Sequence, residues 1–392
     1  MSPSRSGKKR ALPAVGIAVL VLAALVLVFR TLSAGPNQTD TTRSRIFDIP
    51  TSIASDCSKD VAAELNQFLT RVPDGSTVQL AAGGCYAQSR PVRLDDKKNV
   101  TLDGRGAALQ NRALNDGRVN SPNLLLLRGR NLTVKNLALI GNFQLQGPRS
   151  QARVNASSVE QPSTGNQFNA GLSIYGGDGI QITDVRAARV FGDGLLTARS
   201  EYVENSPPFE TPRNVRVVRF EATSVARHCF APTNVIGFWL IDSVGRDCWY
   251  HGVDAELDSV THKLQDVHLI GNTFDGFFAV GVAFPVAGDG DNTRDYEILN
   301  NRFLTTPDAS QCNPIILINA YPSNPNTTKN VVVERNSMKA GGTAIIFDHV
   351  VGGSIRNNRI EPITGVGPGA CGPAVSPVRV TNSSGVRVEG NG

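Results

Sequence analysis

A short pattern that returns ten times between Asn99 and the end of the chain constrains this sequence more than any other feature. The copies are NVTLDG from Asn99, NLTVKN from Asn131, GIQITD from Gly179, NVRVVR from Asn214 and GFWLID from Gly237. They continue as DVHLIGN from Asp266, DYEILNN from Asp295, NVVVERN from Asn330, GGSIRNN from Gly352 and GVRVEGN from Gly385. The copies carry apolar residues at their second and fourth positions, the period of a half-buried strand. One such strand cannot enclose a core, whereas stacked copies bury those positions in a continuous column. Start-to-start steps run from 22 to 48 residues, so the strands are kept while the loops between them vary. An antiparallel sandwich also has short strands, but it does not require the same pattern in each. The seventh position adds a second signal. Asn272, Asn301, Asn336, Asn358 and Asn391 fill it in the last five copies, and asparagines at a bend can hydrogen-bond from turn to turn.

Upstream, residues 58–70 (SKDVAAELNQFLT) place Val61, Leu65, Phe68 and Leu69 on one helical face. PDGSTVQLAAGGCY then reads as a turn and a short strand, followed by NVTLDGRGA. This opening resembles the start of the right-handed parallel β-helix proteins, the pectin-lyase-like superfamily. In that superfamily a helix caps the open core before the first turns. The resemblance covers about residues 56–392. It implies an all-β, right-handed parallel β-helix of about ten turns with an N-terminal capping helix. It speaks to fold and not to reaction. The six- or nine-residue spacing of left-handed or calcium-loaded β-rolls is absent.

Charge and the N-terminus set the compartment. The formal net charge is 39 − 34 = +5, yet residues 1–30 hold Arg5, Lys8, Lys9, Arg10 and Arg30 with no acid. The rest therefore sums to zero, which removes the broad basic footprint that nucleic-acid binding needs. Ala11 to Phe29 is a 19-residue apolar or small-residue run, roughly 30 Å as a helix and so long enough to cross a bilayer. The division that follows is a basic cytoplasmic tail (1–10), a single transmembrane anchor or uncleaved signal (11–30), a polar stalk (31–55) and the β-helix (56–392). The expected location is the cell membrane, single-pass with the β-helix outside, or secreted if the signal is cleaved. Six cysteines, all after the apolar run and none in a CxxC pair, suit an oxidising compartment. Proximity favours Cys57–Cys85, Cys229–Cys248 and Cys312–Cys371 among the 15 connectivities six cysteines allow.

Chemistry concentrates in residues 188–258. Aligning Ala188–Phe191, Ala226–Cys229 and Gly245–Cys248 stacks Arg189, Arg227 and Arg246 on consecutive turns. Like charges in register repel, so such a column needs counter-charges, with Asp193 and Asp247 at hand, or an anionic ligand such as a uronate-containing polysaccharide. In the next run, CWYHGVDAE at 248–256, Val253, Ala255 and Leu257 take the core side and Asp254, Glu256 and Asp258 face outward. Two carboxylates at this spacing suit an acid–base pair with a water between them. The segment is also similar to the Gly-hydrophobic-Asp-x-Glu pattern of bacterial β-helix proteins and, loosely, to the Asp-Pro-His-Glu motif of alginate epimerases, from which it departs by lacking a His between the acids. The expected catalytic set is Asp254, Glu256 and His251. Asp193, Arg189, Arg227, Arg246, His228, Trp249 and Tyr250 are expected to bind substrate. Asp193, in Gly192–Gly194, also suits a plain tight turn.

Trp239 is placed outward beside His268 on a later turn. The 289–292 loop (DGDN), with Asp295, offers oxygens for calcium but lacks EF-hand spacing, and a solvated turn is the better reading. No other cofactor or metal is expected. No Ser-His-Asp elbow, P-loop or HExxH motif is present. The expected function is action on an acidic polysaccharide as hydrolase, lyase or epimerase. The alternative is a non-catalytic envelope or adhesion module that binds glycan or protein along its face.

Overall fold

The computed structural model describes residues 45–112, 123–143, 169–200, 210–257, 259–277, 279–286, 291–304, 312–320, 327–363 and 376–392. Their thirty strands pair in parallel and sort into three stacks, and a typical turn of chain contributes to each stack. This is a parallel β-helix. Three consecutive turns show the scheme. Arg213–Val218, Glu221–Val225 and Phe230–Pro232 lie under Val235–Ile241, Val244–Cys248 and Val253–Asp254, which lie under Leu264–Ile270, Thr273–Asp275 and Val282–Val286.

All ten sequence copies fall in the first stack. Their fourth residues run in register as Leu102, Val134, Ile182, Val217, Leu240, Leu269, Ile298, Val333, Ile355 and Val388. All but Val388 are buried. Each fully buried aliphatic side chain of this kind contributes roughly 1.5–3 kcal/mol, so the column is a main source of stability.

The copies start with Asn, Asp or Gly for a backbone reason. Their first residues, from Asn99 to Gly385, all adopt φ between 52° and 76°. This left-handed region favours Gly, Asn and Asp and disfavours β-branched side chains. From the second copy onward the sixth residue does the same, at φ 48–69°. Each strand is thus bracketed by two left-handed bends, and the second turns the seventh residue inward. The asparagines there form the expected ladder. Asn301 Nδ2 donates to Leu269 O (2.8 Å) and Asn336 Oδ1 (3.0 Å), and its own Oδ1 accepts from Asn272 N and Nδ2 (2.9 Å each). The pattern continues through Asn358 to Asn391. Ser243 extends it one turn earlier, its N–H donating to Asn272 Oδ1 and its hydroxyl accepting from Phe220 N.

Helix α1 (Ala62–Arg71) occupies the third-strand place of the first turn, after Arg45–Asp48 and Asp56–Asp60. Val61, Leu65 and Leu69 enter the core, Phe68 packs against it, and Asn66 bonds both Arg93 N and Pro91 O on the next turn. The helix thereby closes this end, as expected. The β-helix begins earlier than expected, however. Arg45–Asp48 pairs with Ser76–Gln79, so residues 45–55 belong to the body and not to a stalk, and the first stack has twelve strands instead of about ten. The Ser76–Gln79 strand does start from a left-handed glycine, Gly75 (φ 77°), level with Asn99, but neither extra strand has a polar residue at the seventh position, which hid them from the repeat. The proposed anchor at 11–30 lies outside the described residues. Among the described residues no helix is long and apolar enough to cross a membrane.

Cys57–Cys85 and Cys229–Cys248 are disulfides with Cα separations of 5.0 and 5.5 Å. Cys312 is also disulfide-bonded, and its expected partner Cys371 lies outside the described residues.

Candidate active site at a corner of the helix

Register decides what meets at the bend between the second and third stacks. The bonds Gly171 N to Asp193 O, Gly194 N to His228 O, and Cys229 N to His251 O put Asp193, His228 and His251 at one corner position on three consecutive turns. Neighbouring turns are about 4.8 Å apart, so the three side chains form one column. Glycine follows this position on several turns because the corner is tight. A Cβ on Gly194 would sit 2.5 Å from Cys229 O, and one on Gly252 would sit 2.6 Å from Gly281 O.

The column is bound together by polar contacts. Asp193 is buried, with one oxygen accepting from His228 N (3.1 Å) and the other lying 3.4 Å from Arg227 Nη1. His228 Nδ1 accepts from His251 N at 3.4 Å, which places the ring proton on Nε2, 3.1 Å from Asp254 Oδ2. The two imidazoles stack with centroids 5.0 Å apart and planes 15° apart, and Tyr250 flanks both at 5.7 and 6.0 Å. Burial, then the neighbouring His251 and Arg227, push the His228 pKa well below its ordinary value. Burial, with Arg227 beside it, lowers His251 to about 4. Both rings are therefore neutral at neutral pH. His251 Nδ1 is buried with no hydrogen-bond partner among the described residues.

Several sequence expectations change here. The arginine column does not form. Arg246 lies beside Thr223 and Asp275, and Arg189, whose N–H bonds Thr223 O, lies level with Ser224. Only Arg227 joins the site. The alignment failed because it matched the arginines to one another and not to the copies: Arg189, Arg227 and Arg246 stand 7, 10 and 6 residues after the fourth residues Ile182, Val217 and Leu240, whereas Asp193, His228 and His251 all stand 11 after them. Cys229 is likewise not level with Cys248, whose register partner is Val225; the two still bond because both point into the core. Asp193, for which a plain turn was the slightly preferred reading, stands at the corner below His228 and accepts from its N–H.

The alternation in 253–257 holds, since Val253, Ala255 and Leu257 enter the core. Asp254 nevertheless is not on a solvated edge. It is 5% exposed, covered by His228. Glu256 is half-buried and Asp258 lies outside the described residues. Trp249 packs edge-on against Phe143 at 6.3 Å, beside Phe191 and Ala226, so it forms a wall of the corner and not an open platform. Trp239 does neighbour His268, stacked at 5.3 Å, and His268 bonds Asp266 and Glu297 (2.8 Å each). In the 289–292 loop Asp291 accepts from Lys329 Nζ, and Asp295 from Arg294 and Asn330. Among the described residues no three His, Cys, Asp or Glu side chains gather as a metal site would require.

One neighbour of the site had no sequence signal. Tyr175 is buried on the outer side of the third stack in a small apolar cluster with Leu126, Leu196 and Ala231. Burial raises its hydroxyl to about 12, and the Asp193 charge acts in the same direction. It stands four residues before the third copy, at Gly179, outside the repeat pattern and with no charged residue next to it in sequence to single it out.

No protein-family profile and no curated protein matches the sequence. Solved structures do. The Dettilon tailspike protein gp208 superposes with a TM-score of 0.57 at 11% identity, over 88% of this chain and 62% of its own. The tailspike gp49 of Acinetobacter baumannii bacteriophage Fri1, described as a capsular polysaccharide depolymerase, gives 0.50 at 14% identity, over 89% and 57%. What the chain shares with these tailspikes is the parallel β-helix fold, in agreement with the resemblance read from the sequence. The chain spans about three fifths of either tailspike's length, and at these identities the likeness concerns fold alone.

Proposed function

We propose that this β-helix acts on polysaccharide, and that Asp193, Arg227, His228, His251, Asp254 and Glu256 form its site. One observation carries the reading: two buried carboxylates and two neutral imidazoles converge on a single corner of three consecutive turns. Burying ionisable groups in this number is costly, and perturbed titration at a cluster is a mark of functional sites. The depolymerase description of the Fri1 tailspike supports a glycan as the substrate class. In this reading Asp254 and Glu256, adjacent outward positions on one strand, supply acid–base catalysis, and His251 is a neutral base. Tyr250 lines the approach. From the sequence, the body is exported, with residues 11–30 as its membrane anchor and no nucleic-acid partner. The acidic-glycan expectation rested on three stacked arginines, of which one remains at the site.

The test is incubation of the full-length protein with a panel of neutral and acidic polysaccharides, following reducing ends, unsaturated uronates and C5 configuration. Activity should appear on at least one glycan and fall roughly 100-fold or more in Asp254→Asn, the scale of a lost acid–base group. A second reading, a non-catalytic glycan-binding module, is favoured by the fact that Asp193 and Asp254 already have protein partners. Retained binding with no turnover in wild type would select it. Absence of both binding and turnover would sink the polysaccharide reading altogether.

A further inference from the structure

Burial along the third stack is lopsided about the site. Its outward side chains run in register as Leu126, Ser173, Leu196 and Ala231 up to Asp254, then as Ala283, Leu317, Ile346 and Arg379. Below Asp254 this face is shut: none of the four residues exceeds 3% exposure. Tyr175, outward beside Ser173 and in register with Ala198, is 1% exposed. Leu126, Tyr175, Leu196, Ala198 and Ala231 pack with Ala170 in one apolar cluster apart from the main core, and Tyr175 is its largest side chain. Above Asp254 the face opens. Ala283 and Ile346 remain buried, but Leu317 between them is half-buried, Asp348 beside Ile346 has 27% of its side chain exposed, and Arg379 and Thr381 are exposed. The corner column follows the same gradient. Asp193 and His228 on the two lower turns are buried, whereas Tyr250, His251 and Glu256 on the third are half-buried.

We propose that the site is the blind end of a trough: a glycan enters from the side of the later turns, and its last unit stops against the Tyr175 cluster. The protein therefore engages chain ends and not internal stretches. This rests on the polysaccharide reading above and adds where along the polymer that site works. The reason is geometric. An internal stretch must leave the site in both directions, and on the lower side it would have to lie over Ala231 and Leu196, which water itself hardly reaches. A chain end needs only one way out. Closure of the lower face does not depend on what the corner does to the unit held there, so the inference is the same for cleavage, epimerisation or binding alone.

The test is chain length. Full-length protein is titrated with matched hexasaccharides and polymers of polygalacturonate, alginate, a linear α-glucan and a galactan, and the position of any cut or altered unit is followed over time. End capture predicts equal affinity per mole of chain for hexasaccharide and polymer, with change at one chain end only. Capture along the chain would make a polymer about ten times longer bind about ten-fold more tightly per mole, because it offers that many more places to bind. That result, or cuts and altered units spread along the chain, overturns the proposal and leaves the polysaccharide reading standing. Tyr175→Ala, checked for folding by thermal unfolding, should open the trough and move both readouts toward the internal pattern. A folded variant that keeps strict end capture overturns the blocking role of the cluster. Should the variant not fold, the chain-length comparison in wild type decides by itself. Neither binding nor change with any of the four glycans overturns both the proposal and the reading beneath it.

Discussion

At the scale of single residues, His251 offers a sharp test. Its folded pKa of about 4 lies below the ordinary histidine value of 6.5. Between these values the unfolded chain binds a proton that the folded site refuses, so stability rises with pH across the window. The contribution is complete above about pH 6.5 and lost as pH falls toward 4. By the usual conversion it is roughly 3 kcal/mol. Urea unfolding of wild type and His251→Gln at pH 7 and pH 4 should show a smaller acid-side loss in the variant. If His251 is the base of a reaction, the acidic limb of kcat/KM should lie near pH 4 and not 6.5. An unchanged acid-side loss would count against the buried, neutral ring. The residue types were legible: Asp193, His228, His251, Asp254 and Glu256 all stood out in the chain. Their partners were not, because aligning the arginines by their flanking residues misplaces them: Arg189 and Arg246 stand 7 and 6 residues after the fourth residue of their copies and Arg227 stands 10 after its own, so they fall at different places around the turn.

At the scale of elements, the left-handed brackets and the asparagine ladder explain why the repeat is readable at all. A left-handed position accepts few residue types, and an inward seventh position demands a side chain that satisfies two turns at once. Asn301 makes four ladder bonds. Asn301→Ala should cost about 2–4 kcal/mol, since it leaves buried donors and acceptors of Asn272, Leu269 and Asn336 unmet. Asn391, at the less buried end of the ladder, should cost less than half of that when truncated. Thermal unfolding of the two variants compares them directly. Equal costs would mean that the ladder does not act through burial. Strands without these brackets, such as Arg45–Asp48, carry no comparable mark, which is why the start of the body was misplaced.

At the scale of the whole molecule, a solenoid is a sum of turns and of the contacts between neighbours. Position along the axis should therefore matter more than residue type. Leu269 and Val388 share one register column, yet Leu269 is fully buried with turns above and below, while Val388 is 47% exposed. Leu269→Ala should cost 2–5 kcal/mol, and Val388→Ala about 1 kcal/mol or less. Amide exchange should likewise be slowest in the strands around Leu264–Leu299 and fastest in Val378–Glu389. Uniform protection along the axis would contradict additive turns.

The sequence by itself determined the fold, the capping helix, the position of the core columns and two of the disulfides. Each depends on local chemistry repeated many times: alternation, left-handed bends and inward amides. It also singled out the short stretch of chain where the candidate site lies. What only the tertiary structure decided is which of those residues meet. Matching residue types along the chain does not give height along the axis; the three corner residues share a place around the turn because each lies 11 residues after its copy's fourth residue. Register, set by hydrogen bonds between turns, placed His228 over Asp193 and under His251, aimed it at Asp254, and left two of three arginines elsewhere. That one decision replaced a three-arginine groove with a corner of carboxylates and imidazoles.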